Sequence, residues 1–145
     1  MPVDKRCSFC KSDVETVSHL FYYYPFIQIA KHFLVQWFRD IGGHGVSLEC
    51  IRFSVFKDTS FTEERKALLI LLSEYRLSVW LCRNKARFDG KRIRPINIAT
   101  HFLGRVKFRL YTDFCRLSRE CFEDFWSKLC LIEDNELKFI FSLSV

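Results

Sequence analysis

Cys7, Cys10 and His19 are the residues of this chain best suited to chemistry, and the chemistry is metal binding. Two cysteines separated by two residues can both reach one zinc ion from a tight turn, and a histidine carried on a following helix adds a third donor toward the four of a tetrahedral site. Tyr24, followed by Pro25, stands where the fourth ligand is expected. Zinc draws on Cys, His, Asp and Glu, so Tyr24 predicts a zinc site that is weak or lost, with His32 from the next helix as a substitute donor or water completing a weak site. Three ligands plus water is also the pattern of a hydrolytic site, but such a site needs a general base close by. Glu15 is poorly placed for that role, and the expectation is a structural metal.

Other catalytic patterns are missing from the sequence. The acids at Glu63-Glu64, Glu123-Asp124 and Glu133-Asp134 fall at helix starts or surfaces, where they read as capping and solvation. There is no Asp-Asp pair of the kind two-metal phosphoryl transfer requires and no glycine-rich phosphate loop. The chain reads as non-enzymatic.

The elements that must position the triad read as helices. Ser12 or Asp13 can cap a short helix that Glu15 supports from its first turn and that presents His19 toward the cysteine turn. Pro25 opens a helix running to Asp40, with Phe26, Ile29, Ala30, Phe33, Trp37 and Ile41 at spacings of three and four, and Gly42-Gly43 ends it. His44 to Thr59 lacks helical periodicity and has room for a short extended piece around Ile51 to Phe56. Ser60-Phe-Thr-Glu63 is a capping box opening a long helix with Leu68, Leu72, Tyr75, Val79 and Cys82 on one face and Gly90 at its end. Pro95 begins another, with no strong breaker before the acidic region past Cys130, and a last short helix spans about Asn135 to Phe141. The predicted fold is mostly α, a short zinc-knuckle turn followed by a small helical bundle. It is one domain in three parts: a knuckle-like segment and first long helix over 1–41, a loop over 42–59, and a helical region with a basic face over 60–145.

The ordered set Cys7-x-x-Cys10, Glu15-Thr16, His19-Leu20-Phe21 and a closing residue before Pro25 resembles the zinc-binding domain that lies downstream of the polymerase in reverse transcriptases of non-LTR, LINE-type retrotransposons. The helix from Ala67 to Phe88, carrying Tyr75, Trp80, Arg83 and Asn84, is similar to the Trp-x-x-Arg-Asn helix that follows the knuckle there. Arg105-Val-Lys-Phe-Arg109 and Asp113-Phe-x-Arg116-Leu continue the likeness, which covers roughly Cys7 to Trp126. The family closes its knuckle with Cys-Pro where this chain has Tyr24-Pro25. The resemblance implies a remnant of such a reverse transcriptase, with Zn(2+) as cofactor, RNA or DNA as partner and the upstream polymerase domain as a neighbour.

Charge distribution points the same way. The chain carries a net charge of +6 over 145 residues. From Arg83 to Arg119 there are eleven Lys or Arg against Asp89 and Asp113, a net of +9, while Glu120 to the end sums to −4. A concentrated basic region is the footprint of a phosphate-binding surface. Projection of the Pro95 helix at about 100° per residue puts Ala99, Leu103, Val106, Leu110, Phe114, Leu117 and Cys121 on one face. Arg94, His101, Arg105, Arg109, Arg116 and Arg119 fall opposite. Charges on a solvated face need no function, but a face of one sign built from arginine suits the bidentate grip on phosphate. Arg76, Arg83 and Arg87 form a second stripe beside Trp80, which is either a core residue or a platform for a base. The expected phosphate contacts are Arg83, Arg87, Arg94, Arg105, Arg109, Arg116 and Arg119, gripping RNA or DNA without sequence preference.

Composition bounds the rest. Hydrophobic residues make up 49% of the chain, with sixteen phenylalanines, so a packed core is expected over most of its length. The longest apolar run, Ala67 to Leu72, is far too short to span a membrane. Met1-Pro-Val-Asp-Lys-Arg lacks the apolar segment of a secretory leader, and seven irregularly spaced cysteines make a poor disulfide framework. The expectation is an intracellular protein, nuclear or cytoplasmic, with Cys50, Cys82, Cys115, Cys121 and Cys130 as small buried hydrophobes.

Overall fold

The computed structural model describes residues 4–23 and 63–140. Tyr24, His32, the helix expected from Pro25 to Asp40, the 42–59 loop with Cys50, and the Ser60 cap lie outside the described residues.

Helix α1 spans Glu63–Phe88. Its buried positions are Ala67, Leu68, Leu71, Leu72, Tyr75, Val79, Cys82 and Ala86, spaced by three and four as a single core-facing stripe demands. Ser78 is buried in the same stripe, and its hydroxyl is satisfied by donating to the carbonyl of Glu74, as that of Ser73 donates to Leu69. Past the helix the chain turns at Gly90, whose φ of +65° lies in the left-handed region that favours glycine.

Helix α2 spans Pro95–Arg116, with Pro at its first position where the missing N–H costs nothing. Arg94 precedes it in an extended conformation, its N–H donating to Asn97 Oδ1 at 2.8 Å while Asn97 N–H returns to the Arg94 carbonyl at 2.9 Å. The core face is Ile98, Ala99, Phe102, Val106, Leu110 and Asp113. Leu103, Phe114 and Leu117, expected there from projection, are only partly buried against it.

The apolar periodicity predicts that this helix continues past Cys121, but it stops at Arg116. Leu117 is extended (ψ 157°), and Ser118 caps a new helix, α3 (Arg119–Trp126), accepting from Cys121 N–H at 3.3 Å. No glycine or proline marks the break; the cap does. The short helix expected from Asn135 is also replaced. Strands β1 (Cys130–Glu133) and β2 (Glu136–Phe139) form an antiparallel hairpin in the register Cys130↔Phe139 to Glu133↔Glu136. Its two-residue turn puts Asp134 and Asn135 at φ of 52° and 60°, the left-handed pair that matches strand twist.

The three helices pack on one another. Trp126, Phe102, Phe122, Leu71, Ile98 and Leu110 are the large side chains at the centre, each fully withdrawn from water and contributing about 2 to 3 kcal/mol of gross transfer free energy. Edge-on aromatic contacts join Tyr75 to Phe102 and Phe114 to Phe122. Leu129, Cys130 and Leu137 anchor the hairpin in the same core, and Phe139 meets Tyr111 of α2 edge-on. Cys7 and Leu20 belong to this core as well, so the knuckle is built onto the helices. Cys82 and Cys130 are buried as expected, whereas Cys121 is half-buried and Cys115 exposed. Among the described residues no helix is long and apolar enough to cross a membrane.

Candidate metal centre

The N-terminal segment folds back on itself. Arg6 and Val14 form an antiparallel bridge, Cys7 N–H donates to the Asp13 carbonyl at 2.7 Å, and Glu15 N–H donates to the Lys5 carbonyl at 2.8 Å. Between these rungs the chain turns tightly, with Lys11 N–H bonded to the Cys7 carbonyl at 2.9 Å and Lys11 at φ +64°. This turn holds Cys7 and Cys10 side by side.

Backbone donors converge on both sulfurs. Phe9 N–H points at Cys7 Sγ at 3.4 Å. Burial pushes the Cys7 thiol up, against the N–H groups of Cys10 and Phe9. Burial raises Cys10 too, but there the N–H groups of Asp13 and Ser12, with His19, outweigh it and bring the thiol down to about 7. A sulfur held this way is ready to give up its proton to a cation.

His19 arrives from the other side. Thr16 is the residue that caps its turn, accepting His19 N–H on Oγ1 at 3.0 Å and Leu20 N–H on its carbonyl at 2.9 Å. Ser12 and Asp13, expected as caps, belong to the cysteine turn instead. The turn continues as a π-helix, His19–Tyr23, a wide form that recurs at functional sites. His19 Nε2 lies 3.6 Å from Cys10 Sγ.

Do these residues fit a zinc ion? Zn–S bonds of about 2.3 Å and a Zn–N bond of about 2.0 Å at tetrahedral angles place sulfur and nitrogen about 3.5 Å apart and two sulfurs about 3.8 Å apart. The three donor atoms here all lie within 4.8 Å of one another, so a metal ion needs only a small closure of the set.

Glu15 is the residue whose role sequence reasoning missed. Its Oε2 accepts Ser8 N–H at 3.0 Å, and its Oε1 accepts both Nε and Nη2 of Arg83, at 2.7 and 2.5 Å. Arg87 Nη1 adds a 3.7 Å ion pair to the same oxygen. The carboxylate thus bolts the cysteine turn to α1. Burial raises its pKa, but the hydrogen bonds from Arg83 and Ser8 outweigh that and leave it below its ordinary value.

The arginines expected to hold phosphate are placed differently from the single-sign face that projection drew. Arg83 is 11% exposed and engaged by Glu15. Arg105 pairs with Glu74 of α1 at 2.5 Å, Arg109 and Arg116 with Asp113 at 3.5 and 3.2 Å, and Arg119 with Glu123 at 3.1 Å. Asp113 is itself buried and also accepts Trp126 Nε1–H at 2.9 Å, so it locks α3 onto α2. Arg87 reaches the Asp4 carbonyl at 3.3 Å besides Glu15. Burial, then Lys85 and Arg105, pushes His101 below its ordinary pKa. Arg94 alone of the seven has no ion pair among the described residues. Trp80, whose helical spacing suggested core, is 45% exposed, with the Arg83 guanidinium 4.9 Å from its ring centre.

No protein family, no curated protein and no solved structure matches this chain.

Proposed function

We propose that this chain is a non-catalytic, zinc-binding accessory module that holds nucleic acid, of the kind the Cys-His knuckle resembles downstream of retrotransposon reverse transcriptases. The observation that carries the reading is the convergence of Cys7, Cys10 and His19 from two separate turns to within 4.8 Å. Cys7 is buried, and each sulfur is served by two backbone N–H groups, an arrangement suited to a structural ion. Bound there, zinc would tie the cysteine turn to the His19 turn and contribute directly to folding. The two turns would then present a fixed surface beside the basic stretch from Arg83 to Arg119.

Metal analysis of purified protein tests the first half: about one zinc per chain is expected, and none in His19→Ala. Titration of RNA and single-stranded DNA binding against salt tests the second, with log affinity falling linearly as log salt rises. A second reading, a protein-interaction module, draws on the internal pairing of Arg83, Arg105, Arg109, Arg116 and Arg119. Absence of nucleic-acid binding at low salt would select it.

A further inference from the structure

We infer that phosphate is gripped in the cleft between the cysteine turn and the link from α1 to α2, and that the occupant is single-stranded nucleic acid; this rests on the nucleic-acid function proposed for the chain. The cleft has a volume of about 430 Å³, within the range of pockets that hold a nucleotide-sized group. Lys11 lines it from the turn, and Lys91, Arg92 and Arg94 line it from the link. None of its ten lining residues is acidic.

These four cations differ from those on the helix faces. Arg83, Arg105, Arg109, Arg116 and Arg119 each pair with a carboxylate, Arg109 and Arg116 sharing that of Asp113, whereas Lys11, Lys91, Arg92 and Arg94 have no ion pair among the described residues and all four are exposed. Charge that the fold does not neutralise is charge left for an anionic partner. Four cations around one concavity match a phosphodiester backbone better than one isolated anion.

Phe9 separates single strands from duplex as the occupant. It packs half-buried against the core and lines the same cleft as the cations. A basic groove with an aromatic surface in it is the pattern that binds single strands, the backbone tracking the charges and a base lying on the ring. In a duplex the bases are already stacked on one another and have no face to give.

Binding of a labelled oligouridylate to the zinc-loaded chain, followed by fluorescence anisotropy over a salt series, tests this. Two variants are compared with wild type: Lys11→Gln/Lys91→Gln/Arg92→Gln in the cleft, and Arg116→Gln/Arg119→Gln on the helix face. The cleft variant is expected to lose at least about tenfold in affinity and to flatten the salt slope by about 2, at about 0.7 for each phosphate no longer neutralised, while the helix-face variant stays within about twofold of wild type. Lys91→Glu alone gives a second reading if the triple variant melts early. Binding by wild type that the cleft variants leave intact would overturn the cleft and spare the nucleic-acid reading. Tighter binding to the matching duplex would overturn the single-strand assignment. No binding by wild type at low salt would overturn both readings together.

Discussion

Arg83 and Glu15 are joined across 68 residues of sequence by two hydrogen bonds to one carboxylate oxygen, and this pair is where the cysteine turn meets the helical core. Both side chains are nearly buried, at 11% and 10% exposure. Removing one partner of such a pair leaves the other charged and without compensation. Glu15→Ala should therefore cost about 3 kcal/mol in urea denaturation and lower zinc retention as well, because Ser8 N–H, next to Cys7, loses its acceptor. In a double-mutant cycle with Arg83→Ala the combined loss should fall short of the sum by at least about 0.5 kcal/mol.

The same pair gives a pH dependence with a definite sign. The folded pKa of Glu15 lies below its ordinary value of 4.5, so its contribution to stability is complete above that value and is lost as pH falls through the lowered folded value. Glu15→Gln lacks this component. With metal-free protein, to keep zinc release out of the comparison, the stability gap between wild type and Glu15→Gln should hold constant from neutral pH to about 5 and close below it. A gap that instead widened in acid would contradict the assignment.

The Glu15 pair also marks the boundary of what the sequence makes legible. Periodicity exposes α1 and the start of α2, because a stripe such as Leu68, Leu72, Tyr75, Val79 and Cys82 is written in local spacing. The triad is legible because its spacing is local too. Pairings that depend on the packed fold are not: Arg105 meets Glu74 across 31 residues, so a side chain that projects onto a purely basic face is paired with an acid from another helix. Asp113 cannot be told from a surface acid, since its burial depends on where α3 lies. The hairpin does carry a local signal, because Asp134-Asn135 suits a two-residue turn, yet four-residue strands are too short for alternation to stand out.

Asp113 predicts the strongest effect outside the cysteine turn. Its buried carboxylate receives Trp126 Nε1–H at 2.9 Å and faces Arg109 and Arg116. Asp113→Ala should cost about 2 to 4 kcal/mol, since a buried indole N–H loses its acceptor and two arginines lose their counter-charge. Trp126→Phe removes only one donor along with part of the ring, and about 1 to 2 kcal/mol is expected. Urea denaturation followed by far-UV circular dichroism checks both, and equal losses would argue against Asp113 as the shared partner.

The Ser118 cap is a smaller and cleaner test of why α2 and α3 are separate helices. Its Oγ accepts Cys121 N–H, and alanine offers no acceptor there. Ser118→Ala should cost about 1 kcal/mol, and Ser118→Asp should retain the cap. Both are read in denaturant midpoints at constant slope. If Ser118→Ala were neutral, the break would owe more to the docking of Phe122 and Trp126 than to the cap.

If zinc is held at Cys7, Cys10 and His19, the residue at position 24 should set how firmly. Cys7, Cys10 and His19 supply three donors, and a structural zinc site is closed by a fourth. Tyr24→Cys places a thiolate at the position where the sequence motif ends, ahead of Pro25. Its zinc should survive chelator concentrations more than about 10-fold higher than wild type tolerates, since adding a ligand outweighs the roughly 10-fold cost typical of losing an outer hydrogen-bond partner. The same substitution in a His19→Ala background should regain part of the affinity that His19→Ala loses, because three donors are again present. Equal zinc retention by wild type and Tyr24→Cys would mean that another group already fills the fourth position, with His32 the first to replace and measure.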